Sequence, residues 1–286
     1  MILELLRVQQ WVKNSFVLAP LFFSFELAND VAVTRAASAF IIFCLISSAV
    51  YIFNDCCDLE ADRQHAKKRL RPLPSGQVPV RAAFAIMAAL FVGAVVAIYL
   101  AHLPKSFAVT IAVYLAINLA YSLGIKHISV VELFFVASGF VIRLIGGASA
   151  IQIVLSPWII IATGMLALLM ATGKRRGDLV QESDPSQKRK SLAGYNIGFL
   201  DSMLTALTGG TIVVYLLFCV SDYAVARFSA GVLITSIPVT LGLIRYLQLI
   251  MVRGQGESPT DLVLRDRGML AILAVFGAIF AYLIYF

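Results

Sequence analysis

Residues 51–76 read YIFNDCCDLEADRQHAKKRLRPLPSG, and this stretch places a dense cluster of charges directly after an almost wholly apolar run. The acids are Asp55, Asp58, Glu60 and Asp62, and the bases are Arg63, Lys67, Lys68, Arg69 and Arg71. Polar clusters at the depth of a membrane are costly, and they are usually functional. The stretch therefore indicates a spanning helix that ends at a functional site.

The composition supports a membrane protein. The chain has 286 residues, of which 60% are hydrophobic and 14% charged, and its mean hydropathy is +0.89. Soluble proteins carry roughly a quarter charged residues. The sequence therefore predicts an all-α polytopic membrane protein whose length fits one integral domain, residues 1–286. The start, MILELLRVQQWVKN, has no small-residue cleavage site after a short apolar core, so a surface helix and not a cleaved signal peptide is expected there.

Nine apolar runs have the length of about 20 residues that a spanning helix needs. They lie near residues 15–31, 36–53, 81–101, 105–123, 130–150, 156–173, 200–220, 228–250 and 268–286. The first run is the weakest, because it contains Pro20 and Glu26. The sequence predicts about nine transmembrane helices.

The distribution of Lys and Arg predicts the orientation. The N-terminus and every second connection carry Arg7, Lys13, Arg63 through Arg71, Lys126, Lys174 through Arg176, Lys188 through Lys190, Arg253, Arg265 and Arg267. The other connections carry only Arg35, Lys105 and Arg227. Because cytoplasmic loops are enriched in bases, we expect a cytoplasmic N-terminus and a C-terminus on the opposite side. The long cytoplasmic loops, about 54–80 and 174–199, are the expected place of the chemistry.

The acidic residues have helical spacing. Asn54, Asp58 and Asp62 are four residues apart, and Asp55 lies three residues before Asp58, so all four side chains fall on one side of a continuing helix. Carboxylate and amide oxygens suit Mg²⁺, which keeps several waters and is completed by substrate phosphates. The four residues are thus candidate magnesium ligands, and the three aspartates are candidate catalytic residues. The alternative is a solvated loop in which acids pair with bases.

The string Asn54-Asp55-x-x-Asp58-x-x-x-Asp62 resembles the first signature of the UbiA superfamily of intramembrane prenyltransferases. The stretch YSLGIKH, residues 121–127, resembles a second motif of that superfamily, with Ile125 in place of Leu. The resemblance covers essentially the whole chain. It implies a UbiA-like helical bundle with its active site at the cytoplasmic side, and magnesium on the acidic motif that holds a diphosphate.

The second charged loop narrows the resemblance. Residues 173–196, GKRRGDLVQESDPSQKRKSLAGYN, place Lys174, Arg175 and Arg176 before the acid Asp178. An aromatic acceptor needs no such bases, whereas a second phosphorylated substrate does. With QQWVKNSFVLAPLFF (residues 9–23) and GFVIRLIGGASA (residues 139–150), this loop resembles the decaprenyl-phosphate phosphoribosyltransferase branch, in which Glu would be expected in place of Asp178. The resemblance implies phosphoribosyl pyrophosphate and a polyprenyl phosphate as substrates.

Candidate substrate-binding residues follow from the motifs and from their position near the cytoplasmic face. They are Lys13, Asn14, Lys67, Arg69, Arg71, Tyr121, Lys126, Arg143, Lys174, Arg175 and Asp178. For the loop bases, the positive-inside bias alone is an alternative explanation. Arg143 lies inside an apolar span, so we expect it in a polar site or an internal ion pair. An anionic lipid phosphate needs no general base as a nucleophile, and none is conspicuous.

Two other functions remain open from the sequence. The first is prenyl transfer from a prenyl diphosphate to an aromatic ring, which the basic second loop disfavours. The second is transport of a polyprenyl phosphate, which an acidic magnesium motif would hinder by repelling an anionic cargo. The expected location is the bacterial plasma (inner) membrane, with no nucleic-acid partner. The glycine and alanine content permits a homo-oligomer.

Overall fold

The computed structural model describes residues 2–65, 67–181, 190–254 and 259–285, and within these ranges the fold is helical without strands. Thirteen α-helices are described: α1 Ile2–Leu5, α2 Ala19–Phe23, α3 Asp30–Cys57, α4 Leu59–Gln64, α5 Val80–Leu100, α6 Lys105–Leu123, α7 Val131–Ile151, α8 Pro157–Gln181, α9 Ile197–Cys219, α10 Asp222–Phe228, α11 Ser236–Met251, α12 Pro259–Arg265 and α13 Arg267–Tyr285. Five 3₁₀ segments accompany them, at Val8–Val17, Lys68–Leu70, Ile125–His127, Lys190–Gly194 and Ala230–Thr235. The predicted all-α class is confirmed.

Eight helical segments of the described chain are long and apolar enough to cross a membrane, whereas the sequence predicts nine. The predicted first span, residues 15–31, is not among these long helices, so the count of nine is not confirmed. There the chain forms the end of the 3₁₀ helix Val8–Val17, the five-residue helix α2 and an irregular connection. Phe25 takes a left-handed φ of 67°, and the Asn29 side chain caps the start of α3 by accepting from two backbone N–H groups. The apolar composition alone predicts a continuous helix over these residues, but the local features interrupt it.

The N-terminal segment packs along α3 through polar bonds. Trp11 Nε1 donates to Ser48 Oγ at 3.0 Å, and Asn14 Nδ2 donates to Ser47 Oγ at 3.2 Å. Ser48 Oγ in turn donates to the carbonyl of Leu6 at 2.7 Å. Because Ser47 and Ser48 lie within a mostly apolar stretch of α3, these bonds fix the segment at one register along the helix.

The chain divides into two compact units, the first formed by Met1–Lys126 and Gly139–Leu155. Its core is built on α3, whose Phe43 packs edge-to-face against Phe107 and Tyr114 of α6. Gly146 of α7 provides the space for the Phe43 ring, since a Cβ there would lie 2.5 Å from Phe43 Cε2. Small residues at such crossings allow membrane helices to approach closely. The rigid core positions the end of α3, which carries the acidic motif.

The second unit comprises His127–Ser138 and Ser156–Phe286. Leu169 of α8, Leu204 of α9 and Leu249 of α11 are buried in its core. Asp266 caps α13 by accepting from Met269 N–H at 2.9 Å, and this satisfies a backbone donor that the first turn leaves unpaired.

Candidate functional site

The acidic motif lies where α3 gives way to α4. Asn54 and Asp55 belong to the last turn of α3, Asp58 lies between the helices, and Asp62 belongs to α4. The backbone bonds Asp58 N–H to Asn54 O, 3.0 Å, and Asp62 N–H to Asp58 O, 2.8 Å, keep the helical spacing across the junction. Asp55 and Asp62 are buried, whereas Asp58 is half-buried. The prediction of four polar side chains on a nearly continuous helix is borne out by this geometry.

Arg71 joins two of the carboxylates. Its Nη1 lies 2.8 Å from Asp62 Oδ2 and 3.3 Å from Asp55 Oδ1. Lys68 Nζ lies 3.7 Å from the other oxygen of Asp62. One guanidinium nitrogen therefore contacts both buried acids.

Lys126 contacts the motif from a distant part of the chain. It lies in the 3₁₀ turn Ile125–His127 that follows α6, and it is buried. Its Nζ donates to Asp58 Oδ1 and lies 3.5 Å from Asn54 Oδ1, while Asn54 Nδ2 donates to Asp58 Oδ2 at 3.2 Å. Lys126, a base of the stretch YSLGIKH, thus contacts the acidic motif. Tyr121 of the same stretch is half-buried in α6.

Arg7 is a residue that the sequence analysis did not select. Its Nη2 donates to Asp55 Oδ1, and its guanidinium carbon lies 5.0 Å from the ring centroid of Tyr51, one helical turn earlier on α3. The clue in the sequence was a base that precedes the Trp11-x-x-Asn14 stretch, but its partner Asp55 is 48 residues away. The predicted Lys67 and Arg69 are exposed in the loop after α4.

The residues of the motif fit a hard divalent cation. Carboxylate and amide oxygens are the right donors, and Mg²⁺ is commonly bound through one or two carboxylates with waters and substrate phosphates. Within the described residues, no group of three or more His, Cys, Asp or Glu side chains forms a ready metal cage. The carboxylates are instead paired with Arg7, Lys68, Arg71 and Lys126. A cation would therefore have to replace these bases, which then become available to an anion.

Arg143 is buried within the first unit and takes neutral partners. It donates to Asn14 Oδ1 at 2.7 Å, to the Gly139 carbonyl at 3.0 Å and to Tyr114 Oη at 2.8 Å, and it lies 5.0 Å from the Tyr114 ring centroid. Asn14 is itself buried and bonded to Ser47. The network ties the N-terminal segment to α3, α6 and α7. A contact of Arg143, Asn14 or the half-buried Lys13 with substrate stays a prediction.

The bases Lys174–Arg176, which the sequence places in the second loop, lie in α8, which continues to Gln181, and they include a buried ion pair. Arg175 Nε and Nη2 donate to the two oxygens of Glu132, each at 2.5 Å, and Arg175 Nη1 donates to Asp178 Oδ2 at 2.6 Å. Glu132 and Arg175 are buried, Asp178 is half-buried and Lys174 is exposed. The sequence analysis did not select Glu132, because a single acid at the start of an apolar helix carries no motif.

Other charges of this loop are also anchored or fall outside the described residues. Arg176 donates to Asp201 Oδ1 at 2.5 Å and to the Ile250 carbonyl at 2.9 Å. Glu182, Asp184 and Lys188 lie outside the part of the chain that the structure describes. Binding of phosphate by Lys174, Arg175 and Asp178 stays a prediction.

Comparison with known proteins gives one consistent family. The family model of the UbiA prenyltransferase family matches residues 16–260. A decaprenyl-phosphate phosphoribosyltransferase of Mycolicibacterium smegmatis is 36% identical, with 97% of this chain and 91% of the relative covered. The enzyme of the same name from Corynebacterium glutamicum is 34% identical, with 96% and 83% covered. The solved UbiA homolog from Archaeoglobus fulgidus bound to DMAPP and Mg²⁺ superimposes with a TM-score of 0.74 at 19% identity, over 99% of this chain and 98% of that chain.

Proposed function

The chain belongs to the UbiA prenyltransferase family, and we propose that it transfers the 5-phosphoribosyl group of phosphoribosyl pyrophosphate to a polyprenyl phosphate. The products are pyrophosphate and polyprenylphosphoryl-5-phosphoribose. Relatives named decaprenyl-phosphate phosphoribosyltransferase at 34–36% identity over nearly the whole chain support this reaction. The observation in the structure that carries the proposal is the set of four bases on the three acids of the motif.

The reaction is a substitution at the anomeric carbon of ribose. An oxygen of the lipid phosphate forms the new bond to this carbon, and the bond to the pyrophosphate oxygen breaks, so that pyrophosphate leaves with the electron pair. The lipid phosphate is already anionic at neutral pH, so no proton has to be removed from the nucleophile. The protein therefore acts by positioning and by electrostatic stabilisation.

Asn54, Asp55, Asp58 and Asp62 would hold the divalent cation, for which Mg²⁺ is our proposal. When bound, the cation would neutralise negative charge that develops on the departing pyrophosphate. Arg71 and Lys126 already lie within hydrogen-bond distance of the motif. They would orient the phosphates through charge-assisted bonds, which are about twice as strong as neutral ones.

Separate roles are proposed for the remaining bases. Lys67 and Arg69 are exposed on the loop that carries Arg71 and would receive the ribose 5-phosphate. Lys174 is exposed on α8 and would receive the phosphate of the lipid. The apolar spans supply surface for the isoprenoid tail.

The chain is an integral membrane protein. We place it in the bacterial inner membrane, with the N-terminus and the active site on the cytoplasmic side and the C-terminus on the opposite side. This orientation requires that the segment before α3 crosses the membrane in addition to the eight long helices. The asymmetry of Lys and Arg between alternate connections supports this orientation. We further propose one integral domain, with homo-oligomers permitted by its small residues.

Labelled phosphoribosyl pyrophosphate tests the reaction. Purified protein in lipid nanodiscs is incubated with this substrate, a polyprenyl phosphate and Mg²⁺, and the lipid fraction is analysed for label. We expect a labelled lipid that requires the cation and disappears in Asp58→Asn. Transfer of a prenyl group from its diphosphate to an aromatic acceptor would instead support the aromatic prenyltransferase alternative. Movement of unmodified polyprenyl phosphate across the membrane, without a labelled product, would support the transporter.

A further inference from the structure

We propose that Arg7 is a further substrate-binding residue, whose guanidinium is held on Asp55 in the substrate-free protein and moves to a phosphate of the sugar diphosphate when the carboxylates take up the cation. This inference rests on the proposed function. It adds a further residue of the N-terminal segment to the candidates Lys13 and Asn14 that the sequence predicts there.

Asp55 pairs with two bases. Asp55 Oδ1 accepts from both Arg7 and Arg71, and Arg71 also serves Asp62. Arg7 therefore differs from Arg71: among the described residues, Asp55 is the acid with which Arg7 pairs. A divalent cation on the motif repels guanidinium groups a few ångströms away. Arg7, like Lys126, pairs with a single carboxylate of the motif, so a cation on that carboxylate removes its acidic partner completely.

The Arg7 side chain is partly exposed and lies against an aromatic ring. Its side chain is 22% exposed, against 5% for that of Lys126, so an incoming substrate can reach it. The guanidinium lies over the Tyr51 ring, an arrangement that holds a planar cation in place without consuming its donors. A guanidinium with donors turned toward the motif is suited to bidentate recognition of phosphate.

The backbone of Arg7 has an uncommon conformation. Arg7 has φ 51° and ψ 47°, the left-handed region that residues with a Cβ rarely adopt. The peptide before Arg7 is held by two hydrogen bonds, from Arg7 N–H to the Glu4 carbonyl at 3.1 Å and from Ser48 Oγ to the Leu6 carbonyl at 2.7 Å. Such conformations persist where the surroundings enforce them, and they cluster at ligand-binding sites. Here the turn aims the side chain at Asp55.

A purely structural role would be that of attaching the N-terminal segment to α3. Trp11 and Asn14 already make that attachment through Ser48 and Ser47. Loss of the Arg7 side chain should therefore leave the segment in place. The two roles predict different responses of metal binding, because Arg7 competes with the cation for Asp55 only in the exchange that we propose.

Binding measurements without turnover test the proposal. Full-length protein in nanodiscs is titrated with Mg²⁺ alone, and with phosphoribosyl pyrophosphate at saturating Mg²⁺, in the absence of polyprenyl phosphate. We expect Arg7→Gln to bind Mg²⁺ alone more tightly, because a competing base is gone. The same variant should bind phosphoribosyl pyrophosphate about 10- to 150-fold more weakly, the loss of one charge-assisted contact. Arg7→Lys should recover part of that affinity.

Arg63→Gln is the matched control, since Arg63 is exposed and pairs with Glu60 on the same turn of α4. It should leave both affinities unchanged. Equal affinity of Arg7→Gln and wild type for phosphoribosyl pyrophosphate would overturn the inference and leave the proposed function intact. Weaker binding of both ligands by Arg7→Gln, together with a lower Tm, would also overturn it in favour of the structural role. Absence of Mg²⁺-dependent binding by the wild type would instead overturn the proposed function itself.

Discussion

Glu132→Gln should destabilise the protein strongly, although Glu132 lies in no recognised motif. The side chains of Glu132 and Arg175 are 0% and 4% exposed, and both carboxylate oxygens accept from the guanidinium. Removal of one partner from a buried ion pair costs about 3–5 kcal/mol, because the other charge stays buried. Asp178, which is 26% exposed, still accepts from Arg175 in the variant. We therefore expect a loss of about 3 kcal/mol in the free energy of unfolding, the low end of that range.

The assay is reversible unfolding in mixed micelles, with the single variants Glu132→Gln and Arg175→Met and the double variant. Because a buried ion pair can often be replaced by apolar or neutral groups at little cost, the double variant should be more stable than the sum of the single losses predicts. The coupling energy in this cycle should be between 0.5 and about 3 kcal/mol, the range for residues in direct contact. Additive losses would refute the ion pair as a source of stability.

The same double variant decides what Arg175 does in the site. If the Arg175 guanidinium pairs with Glu132 and Asp178 and does not contact a substrate, the double variant should bind phosphoribosyl pyrophosphate and polyprenyl phosphate as the wild type does. If Arg175 contacts a phosphate, as the sequence predicts, a stable double variant should lose about 10- to 150-fold in affinity for one of them. The geometry favours the first result. A folded double variant with the second result would refute our reading of the pair.

Three further predictions concern catalysis, topology and pH. Asp58→Asn should stay folded while turnover falls by about 10² or more, the scale of a lost charged contact in the transition state, and wild-type turnover would remove the metal-site hypothesis. In a background without native cysteines, a cysteine at Ser75 should be labelled only from the cytoplasm and one at Ser229 only from the opposite side; labelling of both from one side would mean that the spans between them are miscounted. The hydrogen bond from Arg245 lowers the pKa of Asp266, so the stability that Asp266 contributes is fully present above its unfolded pKa of about 3.9 and is lost as the pH falls through the lower folded value. The difference in unfolding free energy between wild type and Asp266→Asn should therefore shrink below about pH 4, and a constant difference would contradict this linkage.

The acidic motif could be predicted from the sequence because its geometry is local. Asn54, Asp55, Asp58 and Asp62 lie within nine residues of a nearly continuous helix, so helical periodicity alone places them on one side. Arg71 could be proposed as a partner because it lies in the same loop. Periodicity gives no such information about residues that are distant in the chain.

The parts that could not be predicted depend on tertiary contacts or on local interruptions. Arg7 meets Asp55 across 48 residues, and Arg175 meets Glu132 across 43. Neither pair has a spacing that a pattern could detect. The predicted helix over residues 15–31 is not confirmed for a different reason. Hydropathy records composition but not the early end of a helix near Phe25 and the new start capped by Asn29.

The contacts divide the stretches that carry the family resemblance into two groups with different physical roles. Asn14 and Arg143, from QQWVKNSF and GFVIRLIGG, bond to each other inside the first unit. Lys126 and Arg71 instead pair with the half-buried and buried acids of the motif. The first group stabilises the scaffold that carries α3, because a buried guanidinium at this depth needs the acceptors that Asn14 provides.

The second group gives the motif a charge balance that suits two ligands of opposite sign. Four bases pair with three carboxylates, so the cluster carries about one excess positive charge before any ligand arrives. A cation alone would have to displace bases that have no other anion to contact. A phosphorylated substrate alone would approach carboxylates and bases that already neutralise one another. When the two arrive together, the cation takes the carboxylates and the bases turn to the phosphates, so every charge in the desolvated site keeps a partner. This arrangement favours a diphosphate that enters as its metal complex.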